Sequence, residues 1–114
     1  MISKKIKLKG EEIKYILEKG LEATSKLFIA RYNKNNRNSG GFCVIISRKI
    51  SNKAVDRNKA RRKIFEAIRL INKELESKDL NIVLIPKKLI VNKEFSEIKQ
   101  DLEVLITKLT NKNG

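Results

Sequence analysis

Cationic side chains are the groups in this sequence with the clearest chemistry, and they are concentrated between residues 47 and 69. That stretch contains nine Lys or Arg residues and two acids, Asp56 and Glu66. The cations are Arg48, Lys49, Lys53, Arg57, Lys59, Arg61, Arg62, Lys63 and Arg69. Because the planar guanidinium group matches phosphate oxygens with paired hydrogen bonds, the stretch favours contact with a phosphate backbone.

The second half of this stretch also has the apolar period of an amphipathic helix. When successive residues are turned by about 100°, the apolar side chains fall on one side. They are Ala60, Ile64, Ala67, Ile68, Ile71 and Leu75. Another side carries Asn58, Arg61, Arg62, Arg69 and Lys73. The pattern predicts one face for a core and one for anions, although a basic face that is merely solvated is the alternative.

The charge of the whole chain has the same bias. In 114 residues, 27 Lys and Arg outnumber 13 Asp and Glu, which gives a net charge of +14. This charge indicates a polyanionic partner, and binding through counterion release would weaken as salt rises. We expect no membrane partner, because no apolar run approaches the ~20 residues that span a bilayer and the basic helix has no Trp or Leu/Phe-rich insertion face. Nucleic acid is the predicted partner.

Side chains that could carry out catalysis are scarce. The sequence has no His, which removes the commonest general base, the commonest metal ligand and every Ser-His or Cys-His pair. Cys43 is the only Cys, so it can form neither an internal disulfide nor a zinc site, and we expect it to be a small buried apolar residue. We therefore predict no catalytic residue and no metal ligand in the protein. The amino terminus has no signal-peptide core, so a cytoplasmic protein is expected.

The elements that would position the basic stretch form a single α+β domain over residues 1–114, with 1–8 and 110–114 loosely ordered. In chain order they are a helix from Gly10 to Gly20, extended structure over 21–33, a loop over 33–41, a strand over 41–47, the long helix to about 77–78, a strand over 80–85, a basic loop over 86–93 and a helix over 95–109. The strand over 41–47 is expected to be covered on both faces. Parallel pairing of the two strands that flank the long helix would give a βαβ unit in a one-sheet α-β sandwich of order α-β-β-β-α-β-α.

The two outer helices have apolar stripes of their own. On the first helix the stripe comprises Ile13, Ile16 and Leu17, and on the last helix it comprises Phe95, Ile98, Leu102, Leu105, Ile106 and Leu109. We expect the acids Glu97, Asp101 and Glu103 to lie on the outer side of the last helix.

The segment SRKISNKAVDRNKARRKIFEAIR at residues 47–69 resembles the signature of the protein subunit of bacterial ribonuclease P. In that signature a strand ends in a Ser-basic-basic run, and a short linker leads to Arg-Asn-Arg/Lys, a basic pair and a helix. The order of the other elements agrees over residues 6–109. The resemblance implies an unusual left-handed βαβ crossover like that in one domain of ribosomal protein S5.

The resemblance also implies a division of labour. A large catalytic RNA with bound Mg²⁺ cleaves precursor tRNA to release the 5′ leader, and the small protein docks on that RNA and contacts the leader. The expected partners are therefore ribonuclease P RNA and precursor tRNA, with Mg²⁺ at the RNA active site and no obligate protein partner.

Site residues follow from the same resemblance. The positions expected to contact RNA are Arg57, Asn58, Lys59, Arg61, Arg62 and Arg69 on the helix, Lys53 in the linker, and Arg48 and Lys49 as the basic pair that ends the preceding strand. Asn58 could instead cap the helix or hydrogen-bond within the crossover. The leader is expected between the first helix and the sheet, near Ile13, Leu17, Phe28, Arg31 and Tyr32. Phe65 stands where the family often has Arg, and it would pack at the core edge or stack on a base; we expect packing.

Two other functions fit the composition. A ribosomal-type RNA-binding protein with no part in catalysis would have the same charge, and the signature at residues 47–69 favours the ribonuclease P subunit over it. A stand-alone nuclease would need acids around a metal ion, but Glu11 and Glu12 suit the start of a helix instead.

Overall fold

The structure is a computed structural model that describes residues 10–34, 41–76 and 80–112. Its elements are α1 (Gly10–Lys19), β1 (Leu21–Thr24), β2 (Phe28–Lys34), β3 (Gly41–Val44), α2 (Ala54–Glu76), β4 (Leu80–Pro86), a 3-10 helix (Lys88–Asn92) and α3 (Phe95–Lys112). The predicted α-β-β-β-α-β-α order is confirmed. The predictions for residues 1–8, for the centre of the loop over 33–41 and for the side chains of Lys73 and Leu75 lie outside the described residues.

The strands form one four-stranded sheet of order β1-β2-β4-β3. β1 pairs with β2 and β2 with β4 in antiparallel fashion, whereas β3 pairs with β4 in parallel. Since α2 connects β3 to β4, the predicted βαβ unit is confirmed. The left-handed sense of its crossover stays a prediction.

Side-chain alternation gives this sheet two different faces. The face that carries Phe28, Ala30 and Tyr32 on β2, with Ile82 and Leu84 opposite them on β4, belongs to the main core. The buried side chains of α2 and α3 belong to the same core, and these two helices pack against each other.

The second face carries Arg31 on β2, Val83 on β4 and Cys43 on β3. α1 packs on β2 and β4, and its Ile16 is fully buried, as is Val83. Both residues lie outside the main core, so α1 covers the face opposite to α2 and α3.

Gly20 ends α1 as predicted. Its N–H donates to the carbonyl oxygen of Ile16 at 2.8 Å, and a Cβ at this position would lie 2.5 Å from that oxygen. The chain therefore turns from α1 into β1 at a position that accommodates no side chain.

The apolar stripe of α1 is shallower than predicted, because Ile13 is half-buried and Leu17 is 38% exposed.

The strand predicted over 41–47 differs from the expectation. It ends at Val44, and β3 is an edge strand of the sheet whose second face is only partly covered. Phe42 is buried in the core, but Cys43 is half-buried, so the prediction of a buried Cys is wrong in degree. Partial burial still raises the pKa of the Cys43 thiol. β4, by contrast, is buried along almost its whole length, as predicted.

Two predictions for the carboxyl-terminal third also need correction. The loop predicted over 86–93 contains the 3-10 helix, whose Ile90 is buried. On α3, Glu97 and Glu103 are exposed as predicted, but Asp101 is half-buried and accepts hydrogen bonds from the turn between β1 and β2. The apolar stripe of α3 is buried from Ile98 to Leu109, as predicted.

Candidate RNA-binding surface

One side of α2 is fixed in the core, and this decides where its charged residues point. The predicted apolar residues Ala60, Ile64, Ala67, Ile68 and Ile71 are all buried. The residues on the other predicted side, Asn58, Arg61, Arg62 and Arg69, are all exposed. We call these four residues the basic face of α2. The prediction that this face points away from the core is confirmed.

The start of α2 is held by a small hydrogen-bond network around Ser51. The Ser51 hydroxyl donates to Asp56 Oδ2 at 2.9 Å and accepts from the backbone N–H of Lys53 at 3.1 Å. Arg57 is half-buried, and its Nη1 donates to the carbonyl oxygen of Ser51 at 3.0 Å. Asp56 lies in the first helical turn, where the helix dipole favours a negative charge. The network fixes the linker against the first turn of the helix.

Arg48 and Lys49 lie in a turn rather than at the end of the preceding strand, as had been predicted. The turn is closed by a hydrogen bond from the Ile50 N–H to the Ser47 carbonyl oxygen at 3.2 Å. The Ser47 hydroxyl accepts a second one from the Lys49 N–H at 3.2 Å. Because Ile50 is buried, it anchors the turn and leaves both basic side chains exposed.

Most cations of this region have no acidic partner. In the described part of the chain, Arg48, Lys49, Lys53, Lys59 and Arg62 form no ion pair. Arg69 is the exception, because its guanidinium pairs with the carboxylate of Glu66 one turn earlier. The hydrogen bond from Arg69 lowers the pKa of the exposed Glu66 carboxyl, and the same bond raises the pKa of Arg69. The surface therefore keeps most of its positive charge for a ligand.

The structure separates residues that the sequence had grouped together. Asn58 does not cap the helix; it lies within α2, where its Oδ1 accepts from Arg61 Nη1 at 3.1 Å. Lys59 is exposed, but it lies about 160° around the helix from Arg61, so these two side chains point in different directions. Lys63 has a structural contact, because its Nζ donates to the carbonyl oxygen of Lys93 at 2.8 Å. Phe65 is half-buried and packs against the core, as predicted.

The leader-contacting residues predicted on β2 include two that the structure places elsewhere. Phe28 and Tyr32 are 0% and 1% exposed in the core beneath α2 and α3, so neither ring can reach a ligand on the side of α1. Arg31 does lie on the α1 side. Its Nη2 donates to the carbonyl oxygen of Gly20 at 3.0 Å, and its Nη1 lies 3.4 Å from Glu22 Oε1. The prediction is wrong for the two aromatic residues.

Half-buried apolar residues take the place of those aromatics on the α1 side. Ile29, Ile85 and Cys43 share the sheet face with Arg31. Sequence reasoning missed them, although strand alternation from Arg31 points to Ile29. On the same side of the sheet, α1 contributes the half-buried Ile13 and the 38% exposed Leu17, and we call these five residues the apolar surface beside α1.

Two further features were sought in the described residues, namely a group of metal ligands and a membrane-spanning helix. Within residues 10–34, 41–76 and 80–112, no three acidic or Cys residues are grouped so that they could hold a metal ion. None of the helices in these ranges is long and apolar enough to cross a membrane.

Comparison with known proteins agrees with this geometry. A family model described as Ribonuclease P matches residues 2–110. The chain is 30% identical over 100 residues to the ribonuclease P protein component of Thermoanaerobacter sp. (strain X514), an alignment that covers 88% of this chain and 84% of that protein.

Solved structures show the same fold. The RNase P protein from Thermotoga maritima has 26% identity and a TM-score of 0.74, over 87% of this chain and 94% of that one. A Staphylococcus aureus RNase P protein has 19% identity and a TM-score of 0.78, over 94% of this chain and 96% of that one. Since the family model spans nearly the whole chain, the chain belongs to the ribonuclease P protein family.

Proposed function

We propose that this subunit of bacterial ribonuclease P binds the RNA subunit through the basic face of α2 and the adjoining turn at residues 48–50. The observation that supports this is the contrast between the two sides of α2. One side is fully buried, and the other presents Arg61 and Arg62 to solvent with no acidic partner among the described residues. Guanidinium groups held in this way can contact phosphate and ribose oxygens without first breaking an ion pair.

The protein would assist an endoribonuclease whose chemistry resides in the RNA. The chain has no His for general acid–base catalysis, and its single Cys has a raised thiol pKa, which disfavours the nucleophilic thiolate. In this proposal the RNA, with Mg²⁺ at its active site, cleaves precursor tRNA and releases the 5′ leader. The protein contributes affinity and position.

The 5′ leader would run along the apolar surface beside α1. Ile13, Leu17 and Arg31, which were predicted for this role, remain on this side of the sheet, and Ile29 and Ile85 extend the surface. Apolar side chains can pack against unpaired bases, but Ile and Leu offer no aromatic ring for stacking. We therefore propose weaker contact with each leader base than an aromatic surface would give.

Reconstitution tests the proposal. Full-length protein is mixed with a bacterial ribonuclease P RNA and a 5′-labelled precursor tRNA at low Mg²⁺, and release of the leader is followed over time. We expect the protein to stimulate cleavage at the mature 5′ end, and we expect no cleavage without the RNA. Cleavage by the protein alone, or equal rates with and without the protein, would contradict the proposal.

A leaderless tRNA serves as the control for the second contact. If the protein touches the leader, it should raise the affinity of the RNA subunit for precursor tRNA more than its affinity for mature tRNA. Equal effects on both would leave the RNA-subunit contact in place and reject the leader contact.

A further inference from the structure

The chain between β3 and α2 carries three exposed cations close together. Arg48, Lys49 and Lys53 all lie within residues 48–53, which we call the basic linker, and none of them forms an ion pair in the described part of the chain. Like charges at this spacing repel one another, so an unsupported linker would spread over many conformations. The positions of these cations therefore depend on what holds the linker backbone.

An acidic side chain of α2 is part of that support. Asp56 Oδ2 accepts from the Ser51 hydroxyl at 2.9 Å, and the Ser51 hydroxyl oxygen accepts in turn from the Lys53 N–H at 3.1 Å. Because Ser51 and Asp56 are both half-buried, water competes less for these bonds than it would at a fully exposed site. Asp56 thus orients the hydroxyl that connects the basic linker to the first turn of the helix.

Two further contacts hold the middle of the basic linker. Arg57 Nη1 donates to the carbonyl oxygen of Ser51 at 3.0 Å. The neighbouring Ile50 is 4% exposed, so its side chain is anchored in the core. Ile50 and Ser51 separate the pair Arg48 and Lys49 from Lys53, and the linker is therefore fixed at a point between its cations.

Asp56 differs in its contacts from Glu66, the other acid of residues 47–69. Glu66 is exposed and pairs with Arg69, so it only reduces the positive charge that α2 offers to RNA. Asp56 forms no ion pair among the described residues, and its hydrogen bond goes to a neutral hydroxyl. Since a carboxylate repels a phosphate backbone, any benefit of Asp56 to RNA binding must come from the order that it imposes on the linker.

We propose that Asp56 and Ser51 are positioning residues, which promote RNA binding by holding the basic linker in the arrangement in which its three cations reach neighbouring phosphates. A linker that is already ordered loses less conformational freedom when RNA binds, so more of the contact energy appears as affinity. The inference rests on the proposed function in one respect, namely that the RNA subunit contacts this surface. It predicts that loss of a negative charge weakens the binding of a polyanion.

Two substitutions of Asp56 separate its hydrogen bond from its charge. Asp56→Ala removes both, whereas Asp56→Asn removes the same charge and keeps a carbonyl oxygen that can accept from Ser51. In filter binding at fixed salt and Mg²⁺, we expect Asp56→Ala to bind ribonuclease P RNA about fivefold more weakly, the effect of one lost hydrogen bond. Asp56→Asn should bind at least as tightly as the wild type. Ser51→Ala changes no charge and should match Asp56→Ala, whereas Glu66→Gln, the control for loss of an acid from α2, should bind more tightly.

A second background distinguishes positioning from a general loss of structure. When Arg48→Ala, Lys49→Ala and Lys53→Ala are combined, no linker cation is left to position, so adding Asp56→Ala should have almost no further effect on affinity. Arg62→Ala removes an exposed cation outside the linker and should weaken binding by the same factor in both backgrounds. In the free protein, NMR order parameters of the amides in the basic linker should fall in Asp56→Ala and stay unchanged in Asp56→Asn.

The outcomes that would overturn the inference are specific. Unchanged or tighter binding by Asp56→Ala would do so, and so would equal losses in Asp56→Ala and Asp56→Asn, because the effect would then follow the charge. If Asp56→Ala unfolds at the assay temperature, Ser51→Ala decides, since it keeps the acid in the first helical turn. A wild-type protein that does not bind ribonuclease P RNA would refute the proposed function and this inference together, whereas a wild-type protein that binds while Ser51→Ala binds equally well refutes the inference alone.

Discussion

The carboxylate of Asp101 on α3 lies 2.6 Å from the hydroxyl of Ser25 in the turn between β1 and β2. The same oxygen, Oδ2, accepts a hydrogen bond from the backbone N–H of Leu27 at 3.0 Å. The Ser25 hydroxyl also accepts from the N–H of Phe28 at 3.2 Å. One carboxylate therefore ties the last helix to the first hairpin of the sheet.

Replacing Asp101 by Ala should destabilise the fold. The change leaves the Leu27 N–H and the Ser25 hydroxyl without their acceptor, and hydrogen bonds to charged groups contribute about 2 kcal/mol. We expect a decrease of this order in the free energy of unfolding measured by urea denaturation. Glu103→Ala is the control, since Glu103 forms an exposed pair with Lys99 that should contribute below about 1 kcal/mol. Similar decreases in both variants would show that the hairpin contact is not important for stability.

Gly20→Ala should destabilise the junction between α1 and β1. The new Cβ would lie 2.5 Å from the Ile16 carbonyl oxygen and 3.0 Å from that of Tyr32, and backbone atoms cannot move aside cheaply. We expect the free energy of unfolding, measured with heat or urea, to fall by about 1–3 kcal/mol, as for other overpacked positions. Gly10→Ala is the matched control, because a Cβ at Gly10 meets nothing within 4 Å. A Gly10→Ala variant as unstable as Gly20→Ala would contradict this explanation.

The double change of Arg61 and Arg62 to Ala should weaken binding of ribonuclease P RNA and flatten its salt dependence. For each phosphate that the variant no longer neutralises, the slope of log affinity against log salt should fall in magnitude by about 1. Folding should be nearly unaffected, because both side chains are exposed on the basic face. The control removes Lys14 and Lys19, which are exposed cations on α1, on the opposite side of the sheet from α2, and therefore changes the net charge equally. If the slope falls equally in both double variants, the effect comes from overall charge and not from this face.

Glu66→Gln should strengthen RNA binding by about two- to fivefold, the range typical of exposed charge interactions. The change removes an acid next to the basic face and releases Arg69 from its ion pair. Because the Arg69 hydrogen bond lowers the Glu66 pKa, this pair contributes to stability above the usual Glu pKa, and the contribution is lost as pH falls through the lowered value. The affinity ratio of variant to wild type should therefore stay constant between about pH 5 and 8. A ratio that falls to one near pH 5 would require a Glu66 pKa above its usual value and would contradict the lowered pKa.

Much of the fold follows from short-range pattern. The apolar period of α2 identified its buried residues correctly because residues three and four apart on a helix share a face wherever the helix packs. Gly20 identified the end of α1 for an equally local reason, namely the contact that a Cβ would make with the preceding turn. The exposed positions of Arg61 and Arg62 followed in turn from the burial of Ile64 and Ile68.

Long-range packing decided the rest. Alternation along β2 separates Phe28 and Tyr32 from Arg31, but it does not say which of the two faces α1 will cover. The same holds for Asp101. The helical period places it away from the apolar stripe of α3, but it is half-buried because the turn between β1 and β2 lies beside it. The edge position of β3 also depends on strand order, which no single strand encodes.

The sequence by itself determined that this is a basic α+β protein with a cationic helix face and no His for catalysis. The tertiary structure decided which cations remain without an acidic partner, which side of the sheet lies beside α1, and that the Oδ1 atom of Asn33 is buried without a donor among the described residues. The physical reason is that periodicity depends on neighbours within one or two turns, whereas burial and hydrogen-bond satisfaction depend on elements that are distant in the chain.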